Sequence, residues 1–561
     1  MNIVIIFFLL LSINLNAIEL NNTQKWNNLL HYKGEFKVIN NEFYLSDSKD
    51  RTPSKELKET ISLLNSVKGK EVACNFPARY LYLKNEKLNI PSFELDECRE
   101  LKSFVDNFKK DKVSIVFTSE YINSPSSAFG HIMLIFNDNN TSIDIADTIH
   151  FTSMIEPSDN AFKYTYKMAT SQYNAYFIRE PFFKKIYQYN TIEQRFMYIY
   201  DLDLNKQKIL NLIYHIYELR KATFKYNFLH VNCSSEIISL LNLEDSHIKT
   251  DSSLLYYLPI DGINSVKMNI TNITILTPIY NKINFLISKM SKNELYEFNK
   301  IIRTNILPNH KLPEIVKESL VYYSIYQFRK HHISFKNYDE VMKFKYKQTK
   351  FTDEYIDPLE KTQPSNIGIG YYDSSKDSGV SINFRPLLLD KHDIQNNKLQ
   401  EADISLLNTE LLYINNELKL YKFDLLDISS YAVQNNFHTP LSWSIYSGYN
   451  RNNKFYNLKI ENNIGFGATK KYFNSFNSIL VNIGIENDIV YVKPIYNFSK
   501  TLQNMKFGFS IYTKEYVEKD RYVNKTLYWD MKLNNFLVGL NLTIDNSSNK
   551  NKLNCSIKYN F

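Results

Sequence analysis

Past Pro364 the chain alternates apolar and polar residues with a period of two, and this pattern constrains the fold more than any other feature. In Met505–Ile511 the apolar Met505, Phe507, Phe509 and Ile511 are separated by Lys506, Gly508 and Ser510. In Phe536–Ile544 the apolar set is Phe536, Val538, Leu540, Leu542 and Ile544, and the chain ends with Leu553, Cys555, Ile557, Tyr559 and Phe561 on one face. About ten such segments lie between Asn366 and Phe561, joined by polar turns. Successive strand residues point to opposite faces, so these segments predict an antiparallel sheet with one apolar surface. A membrane β-barrel turns that surface outward to lipid. A soluble sandwich or lipocalin-like barrel turns it inward, and alternation alone does not separate the two. In either case Cys555 sits on the apolar face as inert packing.

The N-terminus, MNIVIIFFLLLSINLNA, is an apolar run followed by small and polar residues, which predicts a secretory signal at 1–17 cleaved after Ala17. It lacks the usual basic start and has Leu15 at −3, so an uncleaved anchor is the alternative. No Cys follows to invite lipoprotein processing, and no later segment supplies the ~20 apolar residues of a spanning helix. The expected location is exported, at the outer membrane with the region before the barrel in the periplasm; the alternatives are periplasmic, or anchored at the inner membrane. The 561 residues allow roughly three domains. A net charge of +8 is spread among mixed signs without a basic stripe, so nucleic acid is not an expected partner. Of four cysteines, Cys74 and Cys98 are spaced for a local disulfide in an oxidising compartment, leaving Cys233 and Cys555.

Residues 18–105 read as a helical domain, with amphipathic stretches at Ser54–Val67 and Cys98–Phe108. The period then changes: VSIVFTSEY, HIMLIF and SIDIADTIHF are strand-like, with a turn at Asn137–Asn140. A helix follows at Asn205–Ala222, and a short one begins near Cys233. Residues 106–255 form the expected catalytic domain, 256–364 a mixed, largely helical connection, and 365–561 the barrel.

Three pieces in the central domain carry side chains suited to chemistry. Ser124–His131 places His131 at the start of a strand, the return strand carries Asp147 and His150, and Asn232-Cys233-Ser234 places Cys233 at a helix N-terminus. A helix N-terminus and a neighbouring imidazole both favour a thiolate. His131 is the candidate base, and either His150 or Asp147 the group that orients it, with hairpin register deciding. Spacing alone is a weak signal and fits a buried structural Cys better than a nucleophile. No HExxH, CxxC or i,i+4 His pair suggests a metal, and no Gly-rich phosphate loop suggests a nucleotide cofactor.

SPSSAFGHIMLIF, DTIHFTS, YQYNTIEQRFMYIYDLDL and YNFLHVNCSSEIISLL together resemble the Lnb-type periplasmic domain family, named for bacterial lipoprotein N-acyltransferases. The likeness covers about residues 70–245, including CNFPARYLYL from Cys74. The tail, with its closing aromatic residue, resembles the barrels of Gram-negative members. The resemblance implies a permuted papain-like domain, similar to lecithin–retinol acyltransferase and NlpC-type proteins, with Cys233 as nucleophile and His131 as base. It makes His150 a candidate orienter, and Asn232 and Ser234 candidates for positioning the thiolate or an oxyanion. Glu193 and Arg195 fit a structural ion pair. A glycine-rich stretch expected in the family reads YKMATSQYNAYFIRE here, without Gly, which bears on substrate identity.

The sequence therefore predicts an α+β protein with a helical N-terminal region, a permuted papain-like cysteine domain and a C-terminal antiparallel barrel. Its expected activity is cysteine-dependent acyl transfer or acyl hydrolysis on phospholipid or lipoprotein, without a cofactor. The rivals are a peptidoglycan amidase or peptidase using the same dyad, and a non-catalytic outer-membrane binding or assembly module.

Overall fold

The computed structural model describes residues 23–560 except 122–128, 157, 160, 251–255, 332–337, 352–356, 361–364, 375–377, 387–391, 395–399, 452–457, 473–474, 518–520 and 546–549. The signal segment, Ser124–Ala128 and Phe561 lie outside the described residues. The chain divides into two compact units: Met1–Phe117, His131–Ile186 and Ile199–Thr274 form the first, and Thr118–Gly130, Tyr187–Tyr198 and Ile275–Phe561 the second.

The first unit begins with helices α1 (Thr23–Leu29), α2 (Pro53–Leu64), α3 (Gly69–Asn75), α4 (Pro77–Asn85) and α5 (Arg99–Asp106). Pro53 and Pro77 open α2 and α4 at positions where a missing N–H costs nothing. Trp26, Leu57, Leu64, Tyr80 and Leu83 pack into one core. Cys74 and Cys98 form a disulfide with Cα atoms 5.5 Å apart.

Seven strands follow: β1 (Lys112–Thr118), β2 (His131–Asn137), β3 (Asp147–Ser153), β4 (Asn174–Pro181), β5 (Met197–Leu202), β6 (Phe224–Lys225) and β7 (Ile270–Leu276), in the order β6-β4-β3-β2-β1-β5-β7. The β2–β3, β3–β4 and β4–β6 pairs are antiparallel. β3 starts only at Asp147, because the SIDI stretch before it makes a 3-10 turn at Ile143–Ile145. The sheet runs past the expected boundary at 255, since β7 supplies its last strand. Helices α6 (Ala161–Ala169), α7 (Phe182–Lys185), α8 (Lys206–Leu219), α9 (Cys233–Asn242) and α10 (Pro259–Val266) complete this region.

In the second unit, Ile283, Phe298, Val316 and Leu320 build a helical core into which Phe437 packs. Tyr326 Oη and His438 Nδ1 are 3.1 Å apart, and Tyr280 Oη donates to Val433 O at 3.1 Å.

Twelve antiparallel strands between Asn366 and Asn560 close into a barrel. The sequence suggests about ten because bulges interrupt the alternation, at Glu410/Leu411 in one strand and Asp424/Leu426 in its neighbour. Asn487-Asp488 and Asn415-Asn416 make two-residue turns with both residues at positive φ, the hairpin geometry that Asn and Asp tolerate best. Ile464 pairs with Ile483 across neighbouring strands, and they are 52% and 57% exposed. Asn463 and Asn482, one residue away on the opposite face, are buried and joined by a 2.8 Å hydrogen bond. The apolar face therefore points outward and the polar face inward, as in a membrane barrel and unlike a sandwich. Among the described residues no helix is long and apolar enough to cross a membrane.

Candidate active site

Cys233 is the first residue of α9 and is buried. Asn232 caps the helix: its Oδ1 accepts from Ser234 N at 2.9 Å and Ser235 N at 3.1 Å. Its Nδ2 donates to Phe228 O at 2.9 Å and Tyr257 O at 2.7 Å. Ser234 is fully buried and donates to Leu258 O at 2.9 Å. Both side chains thus engage the protein's own backbone, which fixes the helix end and suits them to holding Cys233 in place rather than to contacting an oxyanion. The cap leaves the positive end of the helix dipole directed at the first turn, where a thiolate gains most.

His131 opens β2 directly after Gly130, whose φ of +88° is a conformation that L side chains rarely adopt. Helix α9 packs across β2 and β3. Gly262 of α10 shows how closely these pieces meet. A Cβ there would lie 2.3 Å from Ser234 Oγ and 2.9 Å from Ile132 Cδ1. Only glycine lets α10 wedge against the immediate chain neighbours of Cys233 and His131 together.

The register separates the two candidate orienting groups. Thr148 pairs with Ile135 and with Glu180, while Asp147 pairs with Phe136. His150 therefore shares a face with Glu180, and Asp147 points to the other side. Asp147 is a strut, accepting from Arg179 Nε at 3.0 Å and Lys109 N at 2.9 Å. His150 stands beside His131, with ring centroids 6.4 Å apart and planes at 72°. Its Nε2 donates to Glu180 Oε1 at 2.8 Å, and Lys185 Nζ reaches the same oxygen at 2.8 Å.

Burial, with the Lys185 charge adding, lowers the His150 pKa to about 4 against the opposing pull of Glu180. Burial would raise Glu180, but Lys185 and His150 outweigh it and hold the carboxylate below its usual range. His150 is therefore neutral at pH 7, with its Nε2 proton fixed by Glu180.

Sequence reasoning missed Glu180, Lys185 and Tyr226. The first two carry no local signal, since only sheet register brings them behind His150. Tyr226 did carry one, being the Tyr that opens YNFLHVNCS. It is buried and stacks on Phe151 at 6.2 Å. Burial first, and then the field of the Cys233 sulfur, keep its phenol protonated well above the usual range. Arg195 forms the expected ion pair with Glu193 at 2.9 Å and also donates to Thr118 Oγ1 and Ser119 O, both at 2.6 Å. Among the described residues, no group of three or more His, Cys, Asp or Glu side chains converges as a metal site requires.

Comparison with known families bears on the same stretch. Residues 100–269 match the Lnb N-terminal periplasmic domain. Residues 18–86 and 356–488 match two further families whose functions are undescribed. None of the curated proteins matches. Among solved structures the barrel region is similar to the KdgM porin, at 9% identity and a TM-score of 0.23 over 35% of this chain and 99% of that one. It is also similar to the NanC porin, at 4% identity and 0.25 over 35% and 100%. A third is the Acinetobacter baumannii outer membrane protein Omp33, at 10% identity and 0.22 over 36% and 100%. The resemblance read from the motifs holds for the central domain. A periplasmic-domain match and a closed barrel with an apolar outer belt support the exported, outer-membrane location that the sequence predicts.

Proposed function

We propose that the Lnb-matching domain is a permuted papain-like cysteine acyltransferase, acting on an acyl ester of phospholipid or lipoprotein in the cell envelope. The observation that carries this reading is the row of groups on adjacent strands beside the Cys233 helix: His131, then His150, then Glu180 backed by Lys185. In this mechanism His131 takes the Cys233 thiol proton and the thiolate attacks the ester carbonyl. The tetrahedral intermediate collapses with cleavage of the C–O bond, and His131 returns the proton to the leaving alkoxide. The resulting thioester is released to an amine, an alcohol or water. Neutral His150, held by Glu180, sets the orientation of His131. The Cys233 backbone N–H and the protonated Tyr226 phenol are the donors suited to the oxyanion.

Purified full-length protein in detergent, incubated with phospholipid labelled in its acyl chain, tests the reading. Mass analysis of the Cys233 peptide is expected to show one acyl adduct, sensitive to hydroxylamine and missing in Cys233→Ala. An adduct that survives Cys233→Ala, or labelling only by peptidoglycan peptides, would overturn it.

A further inference from the structure

The N-terminal segment runs beside the helix that carries Cys233. Lys25 Nζ lies 3.2 Å from Glu244, Asn28 bonds to Asn242, and His31 Nδ1 lies 3.2 Å from Glu236 Oε2. The last contact is one helical turn from Cys233. Ser235 Oγ, next to it, lies 3.3 Å from Glu236 Oε1 and accepts from Asn232 N at 3.0 Å, reaching the cap itself.

Behind Glu236 the polar contacts continue through the buried interior. His31 Nε2 and His215 Nε2 are 3.1 Å apart, and His215 Nδ1 lies 3.1 Å from Glu218 Oε2. Glu218 Oε1 accepts from Ala78 N at 2.7 Å and Arg79 N at 3.0 Å. The Arg79 guanidinium also lies 3.3 Å from Glu56. All these side chains are buried, with Arg79, His215 and Glu56 at 0% exposure.

The proton count follows from the contacts. Two carboxylates accept only, so both Nδ1 atoms must carry hydrogen. The two Nε2 atoms would then meet lone pair to lone pair unless one of them is protonated. Burial, the largest cause, lowers the His215 pKa to about 4, so His215 is the neutral ring. His31 Nδ1 faces Glu236; burial would raise that carboxyl, but the contacts with His31, Lys33 and Ser235 outweigh it and hold it below the usual carboxylate range. The charged groups facing the pair are Glu236 on α9, Glu218 on α8, Arg79 on α4, and Lys33 just after His31.

We propose that this buried chain, centred on the His31–Glu236 pair, makes the N-terminal segment a positioning element for the nucleophile: it fixes the first turn of α9, and so Cys233, against His131. The inference rests on the cysteine-dyad reading. It assigns a role to residues matching a separate family of undescribed function.

The test is the pH dependence of Cys233 alkylation by iodoacetamide in the full-length protein, with Cys233→Ala as blank. The main variant is His31→Phe/Glu236→Met, which replaces both partners of the buried contact by apolar side chains in an aromatic surround, where Phe43 and Phe224 both pack T-shaped against the His31 ring. Replacing both partners of a buried hydrogen-bonded pair by apolar groups is often tolerated, so the fold should persist, as judged by the melting transition. The expected result is alkylation at pH 7 at least tenfold slower, with the midpoint moved toward the ordinary thiol value of about 8.5. Ser235→Ala, a milder cut between Glu236 and the cap, should slow it about threefold. A folded double variant whose profile superimposes on wild type overturns the positioning role. If the double variant does not fold, an unchanged Ser235→Ala profile does so. A wild-type thiol that is slow and indifferent to His131→Ala overturns the dyad reading first, and this inference with it.

Discussion

The seven-stranded sheet and the twelve-stranded barrel use the same apolar residues toward opposite ends. Ile132 in β2 is 0% exposed, as are Met133 on the opposite face and Leu134 on its own, whereas Ile483 in the barrel is 57% exposed and its neighbour Asn482 is buried. A sheet covered on both sides turns the residues of both faces into core, so charges admitted there must be paired internally. A barrel in lipid inverts the rule, with apolar residues outside and polar contacts facing the lumen. The contrast explains why the two regions should fail differently.

The largest effect is expected where the dry core has no alternative partner. Arg79→Met leaves Glu56 and Glu218 buried without their shared cation, and should cost about 3–5 kcal/mol in a urea titration of the first unit's transition. A loss below about 1 kcal/mol would show that water reaches this network.

Acid should act on the same unit. His150 and His215 are both lowered to about 4 by burial, so the unfolded chain binds more protons than the folded one between about pH 6.5 and 4. Their contribution is fully present above about pH 6.5 and is lost as pH falls through this window, with His150 alone accounting for about 3 kcal/mol. In His150→Gln the urea midpoint should fall less steeply with acid; an unchanged slope would mean that His150 is not buried neutral.

In the barrel, Ile483→Arg should cost about 2–4 kcal/mol by placing a charge in the lipid belt, while Ile483→Leu should cost less than about 1.5 kcal/mol. Equal effects would contradict an outward lipid face at this position. A smaller effect is kinetic. Glu180→Gln keeps a hydrogen-bond acceptor for His150 but removes the charge, and should slow Cys233 alkylation at pH 7 about tenfold, equivalent to about 1.4 kcal/mol.

How much of this was legible in the sequence follows from the same contrast. The barrel could be read directly, because alternation is a local property and Met505–Ile511 or Phe536–Ile544 displays it within one strand. Its strand number was blurred where bulges near Glu410 and Asp424 break the period. The helix carrying Cys233 and the strand opening at His131 were legible from motif and periodicity. The choice between His150 and Asp147 was not, because pairing register depends on β4, a strand whose NAYFIREP composition shows no clean alternation. His31 and His215 were invisible as a pair, since 184 residues separate them and neither lies in a motif. Contacts that long in sequence are set by packing of whole elements, which local pattern does not encode.

The central claim is that Cys233 is an activated thiol served by His131. The most direct test is the rate of Cys233 alkylation against pH in wild type and His131→Ala. An apparent pKa well below about 8.5 that rises when His131 is removed is the predicted result. A slow thiol with an ordinary pKa, unaffected by His131→Ala, would make Cys233 a structural residue and contradict the account.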